Sequence, residues 1–125
     1  MIMLVKDVMV KEVLTVERDA KVREACEILA DNSIGCLVVT KNGVICGILT
    51  ERDIIKSVAG SQENIAEREV ASVMTSYVLT IKPATDVQKA IAIMMKNKIR
   101  RLPVMSAGKL VGIVTVSDII AKCGY

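Results

Sequence analysis

Aromatic rings and imidazoles are almost missing from this sequence: its 125 residues include two Tyr, no Phe, no Trp and no His. Without Phe and Trp there is no stacking platform of the kind that single-stranded nucleic acid needs. Without His, an enzyme would lack its usual proton shuttle. Long apolar runs are also missing. Charges interrupt every stretch that could span a bilayer, and residues 1–10, with Lys6 and Asp7 among apolar neighbours, form no signal-peptide core. A cytoplasmic location is expected. Charge of one sign is scarce too: 17 basic and 14 acidic residues give a net +3. That suits an anionic small ligand but falls short of a DNA-binding footprint, so nucleic acid is not an expected partner. Cys26, Cys36, Cys46 and Cys123 contain no C-x-x-C pair. A zinc site would need all four to converge from distant segments, so they are read as small hydrophobes, and no metal is expected.

What remains is aliphatic. Hydrophobic residues make up 52% and charged residues 25%, the balance of a folded globular chain rather than a disordered one. Its core must be built from Ile, Val, Leu, Met and Ala. The length suits one core, or two half-domains that share one.

The chain is a duplication. Shifted by 65 residues against itself, it matches at 19 of the 48 positions of Val8–Ile55 without a gap. Val8-Met9 falls on Val73-Met74, Val13-Leu14-Thr15 on Val78-Leu79-Thr80, and Gly47–Ile55 on Gly112–Ile120. Each copy reads as βαββα, a mixed α/β (α+β) fold. Val13–Val16 and Val78–Ile81 are short β-rich runs. Helical spacing follows in Val22, Ala25, Cys26, Leu29 and in Val87, Ala90, Ile91, Met94. Asp19 and Thr85 are the expected N-caps, with Pro83 restricting the approach to the second helix. Strands Cys36–Thr40 and Val44–Leu49 are joined by Asn42-Gly43, suited to a type I′ hairpin; Arg101–Met105 and Leu110–Val114 are joined around Gly108. A closing helix starts near Thr50 or Thr115. The period divides the chain into 1–60, a polar linker 61–69, and 70–125. One copy buries too little apolar area to stand comfortably alone, so two copies are expected to pair through their sheets about a pseudo-two-fold axis.

The motif with chemical potential is Gly-x-x-Thr-x-x-Asp, present as Gly47…Thr50…Asp53 and as Gly112…Thr115…Asp118. Two readings share its geometry. Thr at the N-cap and Asp at the third helical position form a variant capping box, which satisfies amides that lack helical partners. The same carboxylate can instead accept both hydroxyls of a ribose, with the hydroxyl and free amides facing an anion at the positive end of the helix. Lys96, Lys98, Arg100 and Arg101 lie at or beyond a helix C-terminus, where cations are favoured in any case. An Arg pair can also grip phosphate through two bonds at once. Met94, Met95 and Met105 read as core filling.

On these residues, together with Ile99-Arg100-Arg101-Leu102-Pro103-Val104, the sequence over Leu4–Ala121 resembles the CBS-domain family, named after cystathionine β-synthase. The two copies resemble a CBS pair, or Bateman module. The resemblance implies a regulatory module that binds AMP, ADP, ATP or S-adenosylmethionine in clefts between paired repeats, commonly within a disc-like homodimer. It implies that Asp53 and Asp118 hold ribose, with Thr50 and Thr115 beside them and Ser117 in the same helix start. Thr15-Val16 with Ile34-Gly35-Cys36-Leu37, and Thr80-Ile81 with Ile99–Pro103, would line the adenine slots. Arg100 and Arg101 would reach phosphate, and Arg52 would face the cleft. Where the second copy has Arg100-Arg101 the first has Gly35-Cys36, so the site with Asp118 and Arg100 is expected to be the stronger. With no His and a better explanation for each motif Asp, no catalysis and no catalytic cofactor are expected; the resemblance implies an output that acts on a separate, unidentified protein. A ligand-free dimerisation scaffold is the alternative from a different class, and the intact Thr-x-x-Asp in both copies argues against it.

Overall fold

The computed structural model describes residues 2–76 and 78–124. Its elements run α1 (Val5–Val8), β1 (Thr15–Glu17), α2 (Val22–Asn32), β2 (Cys36–Lys41), β3 (Val44–Thr50), α3 (Glu51–Ala59), two 3-10 turns (Ile65–Glu67 and Val70–Ser72), α4 (Val87–Asn97), β4 (Arg101–Ser106), β5 (Lys109–Thr115) and α5 (Val116–Cys123). The helices form where apolar residues repeat at three- and four-residue spacing: α2 buries Val22, Ala25 and Leu29, and α4 buries Val87, Ala90 and Met94. Both hairpins turn through two residues of positive φ, Asn42 (52°) with Gly43 (83°) and Ala107 (51°) with Gly108 (77°), as a type I′ turn requires.

These elements pack as two compact units, one within Met1–Val13 and Leu79–Tyr125, the other within Leu14–Val78. Neither unit coincides with a sequence repeat, because each repeat gives its leading segment to the body of the other. In the first unit Val5 N–H donates to the Thr85 carbonyl (2.8 Å), Lys6 N–H to that of Pro83 (2.9 Å), and Val87 N–H to that of Met3 (2.9 Å). The same three bonds recur in the second unit, 65 residues away. There Val70 N–H donates to Ala20 (2.8 Å), Ala71 N–H to Arg18 (2.9 Å), and Val22 N–H to Arg68 (2.9 Å). The exchange reaches the cores. Val5 and Val8 are buried with Met94, Leu102 and Ile119, while Val70 and Val73 are buried with Leu29, Leu37 and Leu49. The divisions 1–60, 61–69 and 70–125 follow the period of the sequence; packing follows the exchange. Within 61–69 the turn Ile65–Glu67 buries Ile65. It is tied down by Glu67, which accepts from Lys21 Nζ at 2.8 Å and lies 3.2 Å from Arg23 Nη1. The Lys21 bond first, and then Arg23, hold the Glu67 carboxyl below the usual carboxylate range.

The two sheets differ in one respect that the repeat conceals. In the second unit β1 runs parallel to β2, which pairs antiparallel with β3. Among the described residues of the first unit only β4 and β5 form a sheet, and the expected strand Val78–Ile81 shrinks to a single bridge between Ile81 and Val104. The cause is the chain's two prolines. The β1 ladder uses Val38 N–H donating to Leu14 (3.3 Å) and Arg18 N–H donating to Thr40 (2.9 Å). Sixty-five residues on, those donors are Pro103 and Pro83, which have no N–H to give.

Three smaller expectations are corrected. The N-caps are Lys21, which makes no side-chain cap, and Asp86, whose carboxylate accepts Gln88 N–H at 2.8 Å. Asp19 lies two residues early, inside the turn closed by Ala20 N–H on the Glu17 carbonyl, and Thr85 lies one residue early. Met95 is 75% exposed rather than core, since one residue after buried Met94 the helix has turned about 100° away. Each of the four cysteines is half-buried; burial, with help from Glu27, pushes the Cys26 thiol up.

Candidate functional site

The glycine that opens each Gly-x-x-Thr-x-x-Asp motif is a packing requirement. A Cβ on Gly47 would lie 2.5 Å from Met74 Sδ and 2.9 Å from the Thr75 carbonyl oxygen. One on Gly112 would lie 2.6 Å from Met9 Sδ and 3.0 Å from the Val10 carbonyl oxygen. The exchanged Val-Met segments therefore lie directly on β3 and β5. Thr75 exchanges two backbone bonds with Ile48, both 2.9 Å, and Val10 exchanges two with Ile113, at 2.8 and 2.9 Å. This places residues 75 and 10 at the sheet edge beside the helix start.

At each helix start, strand and helix meet without a loop. Thr50 caps α3 and accepts Asp53 N–H at 3.1 Å; Thr115 caps α5 and accepts Asp118 N–H at 3.1 Å. The first-turn amides of Glu51 and Val116 donate to the carbonyls of Gly35 and Arg100, both at 3.0 Å. Register then sets Cys36 opposite Thr50 and Arg101 opposite Thr115.

The carboxylates are engaged differently. Asp53 uses both oxygens: Oδ2 accepts Thr50 N–H at 3.0 Å, closing a full capping box, and Oδ1 accepts the Thr75 hydroxyl at 3.3 Å. Asp118 uses one, with Oδ2 accepting the Thr115 hydroxyl at 2.8 Å. Among the described residues nothing donates to Asp118 Oδ1, since the residue placed like Thr75 is Val10, which has no hydroxyl. Neither Thr75 nor Val10 was singled out in the sequence. The signal was there, because the matched Val-Met pairs put these two unlike residues in register.

The other candidates fall around these points. In the second unit, Thr15 is exposed on β1 and Val16 is packed in the core, so Val16 can offer only its backbone outward. Ile34, Gly35 and Cys36 are half-buried on the approach to β2, next to Thr50, and Arg52 is exposed in the first turn of α3. In the first unit, Thr80 is exposed, while Ile81 and Pro103 are buried and joined by the Ile81 N–H bond to the Pro103 carbonyl at 3.0 Å. Ile99 and Arg100 lie against a 570 Å³ groove between α4 and α5, Arg101 is half-buried on β4, and Ser117 is exposed beside Asp118. Ile99–Arg101 and Thr115–Asp118 thus share one end of the β4–β5 sheet, while Ile81 is bridged to Val104 further along β4. The Ile81 segment lies two strand spacings from β5, roughly 10 Å, a span that one small molecule can bridge.

Comparison with known proteins agrees with this architecture. The family model described as CBS domain matches residues 5–60 and 70–124. The CBS domain-containing protein YhcV of Bacillus subtilis is 32% identical over 92% of this chain and 81% of its own. The crystal structure of the CBS-domain protein ATU1752 from Agrobacterium tumefaciens superposes with a TM-score of 0.87 at 34% identity, covering 94% of this chain and 91% of that one. The CBS domain pair of MJ0100, solved in complex with 5′-methylthioadenosine and S-adenosylmethionine, gives 0.87 at 31% identity over 98% and 97%. Other relatives are longer, and the chain spans 42% of one from Methanocaldococcus jannaschii.

Proposed function

This chain belongs to the CBS-domain family as a tandem pair, and we propose that it is a regulatory sensor of an adenosyl ligand, not an enzyme. The observation that carries the reading is Asp118: a carboxylate in the first turn of α5 with one oxygen uncommitted, beside the Thr115 hydroxyl and the Arg100-Arg101 pair. A carboxylate oxygen is an acceptor only, so it calls for donors such as a ribose diol. Thr80, Ile81, Ile99 and Pro103 would flank the base, with Arg101 and Arg100 on the phosphate side. Asp53, Thr50, Arg52 and Ser117 hold the corresponding positions of the two motifs, and Thr15, Val16, Ile34, Gly35 and Cys36 those of the first base slot. The adenosyl ligands of MJ0100 support the class.

Within that class, the arginine pair favours AMP, ADP or ATP, because guanidinium forks match phosphate oxygens. S-adenosylmethionine is the second reading, favoured by the MJ0100 complex. Calorimetric titration of the purified protein with AMP, ATP, S-adenosylmethionine and 5′-methylthioadenosine tests both. Saturable binding of at least one is expected. No heat and no thermal stabilisation with any of them at millimolar concentration would end the proposal. Regulation then follows if the ligand binds two conformations with different affinity, a difference read by a separate protein. No helix of the described residues is long and apolar enough to cross a membrane; a cytoplasmic location for this chain is part of the proposal.

The chain is further proposed to act as a homodimer. Met95 (75% exposed) and Ile120 (49%) stand on the α4–α5 face, and Ile55 (65%) and Val58 (58%) on α3. Exposed aliphatic side chains on matching helices of both units are what a self-complementary interface needs. Ile120→Glu is expected to convert the dimer to monomer at micromolar concentration, read by light scattering after size exclusion, with Tm changed by only a few degrees. An unchanged dimer mass would remove this face from the interface.

A further inference from the structure

The two helix starts share a motif but not a state, and the difference lies in the exchanged segments. Beside Asp53 the exchanged residue is Thr75, whose hydroxyl donates to Oδ1 at 3.3 Å while Thr50 N–H takes Oδ2 at 3.0 Å. Beside Asp118 it is Val10, 41% exposed, and Oδ1 keeps no donor among the described residues. Both exchanged residues are fixed by paired backbone bonds to the sheet edge, so the Thr75 hydroxyl stays within reach of Asp53 and can leave it only by rotation about χ1.

We infer that Thr75 is a specificity-determining residue whose hydroxyl occupies the first carboxylate in place of a ligand hydroxyl, making this module a one-site sensor that works through Asp118. The inference rests on the reading that the motif carboxylates face ribose. A diol approaching Asp53 must displace the Thr75 hydroxyl and break the amide bond of the capping box. At Asp118 it meets an acceptor that protein donors leave open. Removing one ordinary exposed donor to a carboxylate should be worth about 5-fold in affinity. The Arg100-Arg101 pair adds to the same asymmetry on the phosphate side, because Gly35-Cys36 has no charge to offer.

The test compares four proteins by calorimetry with AMP and, in a separate arm, S-adenosylmethionine: wild type, Asp118→Ala, Asp118→Ala with Thr75→Val, and Val10→Thr. Wild type should bind one ligand per chain. In the Asp118→Ala background only the first helix start remains, and adding Thr75→Val should tighten its weak binding about 5-fold. Conversely, Val10→Thr should weaken the main site by a similar factor, since it places a hydroxyl beside Asp118. That position is partly exposed, so the variant is expected to fold, as its Tm will report. The inference is overturned on its own if wild type binds through Asp118 but Thr75→Val brings no gain and Val10→Thr no loss. If wild type binds neither ligand, the ribose reading fails and this inference fails with it.

Discussion

Asp118→Ala is expected to weaken adenosyl-ligand binding by about 10- to 100-fold, against less than about 5-fold for Asp53→Ala. The first range follows from hydrogen bonds to a charged acceptor, about 1.5–3 kcal/mol each, partly offset by the water that hydrates the vacated position. The second is small because Asp53 is already engaged by Thr50 and Thr75. Stability should respond in the opposite order. Asp53 closes a reciprocal capping box and Asp118 does not, so Asp53→Ala should cost about 1 kcal/mol of folding free energy and Asp118→Ala less. Thermal melts beside the titrations separate the two effects. A ligand affinity that falls only in proportion to lost stability would place Asp118 among the caps and nothing more.

Gly112→Ala is the structural counterpart, with an expected loss of about 2–3 kcal/mol, the upper part of the range for forcing one carbon into a filled site. The new carbon would meet Met9 Sδ at 2.6 Å and the Val10 carbonyl oxygen at 3.0 Å. A thioether can swing aside; a carbonyl held in a β-bridge cannot without unpairing Val10 from Ile113. Truncating the flexible partner, Met9→Ala, should therefore rescue only part of the loss. The same substitution at Gly47 meets Met74 and the Thr75 carbonyl and should behave alike. Chemical denaturation reads both, with a fall in midpoint and little change in slope. A neutral Gly112→Ala would mean that the exchanged segment does not lie on β5 as described.

The repeat, the hairpins and the two helix starts were legible because each rests on local chemistry. Asn42-Gly43 demands positive φ, and Thr-x-x-Asp caps a helix wherever it occurs. The exchange of leading segments was not legible. Val8-Met9 and Val73-Met74 are identical, so nothing in them says which body each will join; that depends on bonds such as Val5 to Thr85, which are distant in sequence. The lost strand near Ile81 was legible in principle, since Pro83 and Pro103 stand where the other copy needs donors, but only once the parallel register was known. Asp19 and Thr85 misled because they are good capping residues displaced by one or two positions from where the helices begin. For the site, Arg100-Arg101 against Gly35-Cys36 already favoured Asp118 on the phosphate side, while the two motif carboxylates themselves looked alike. Their inequality comes from Thr75 and Val10, two residues outside the motif that the fold carries to its edge.

The most direct test of the ribose assignment is a comparison of AMP with 2′-deoxy-AMP on wild type and on Asp118→Ala, a thermodynamic cycle that isolates one hydroxyl against one carboxylate. Wild type should prefer AMP by about 10-fold, the worth of one charge-assisted bond, and Asp118→Ala should bind the two alike. An equal preference for AMP in both proteins would show that the sugar is held elsewhere.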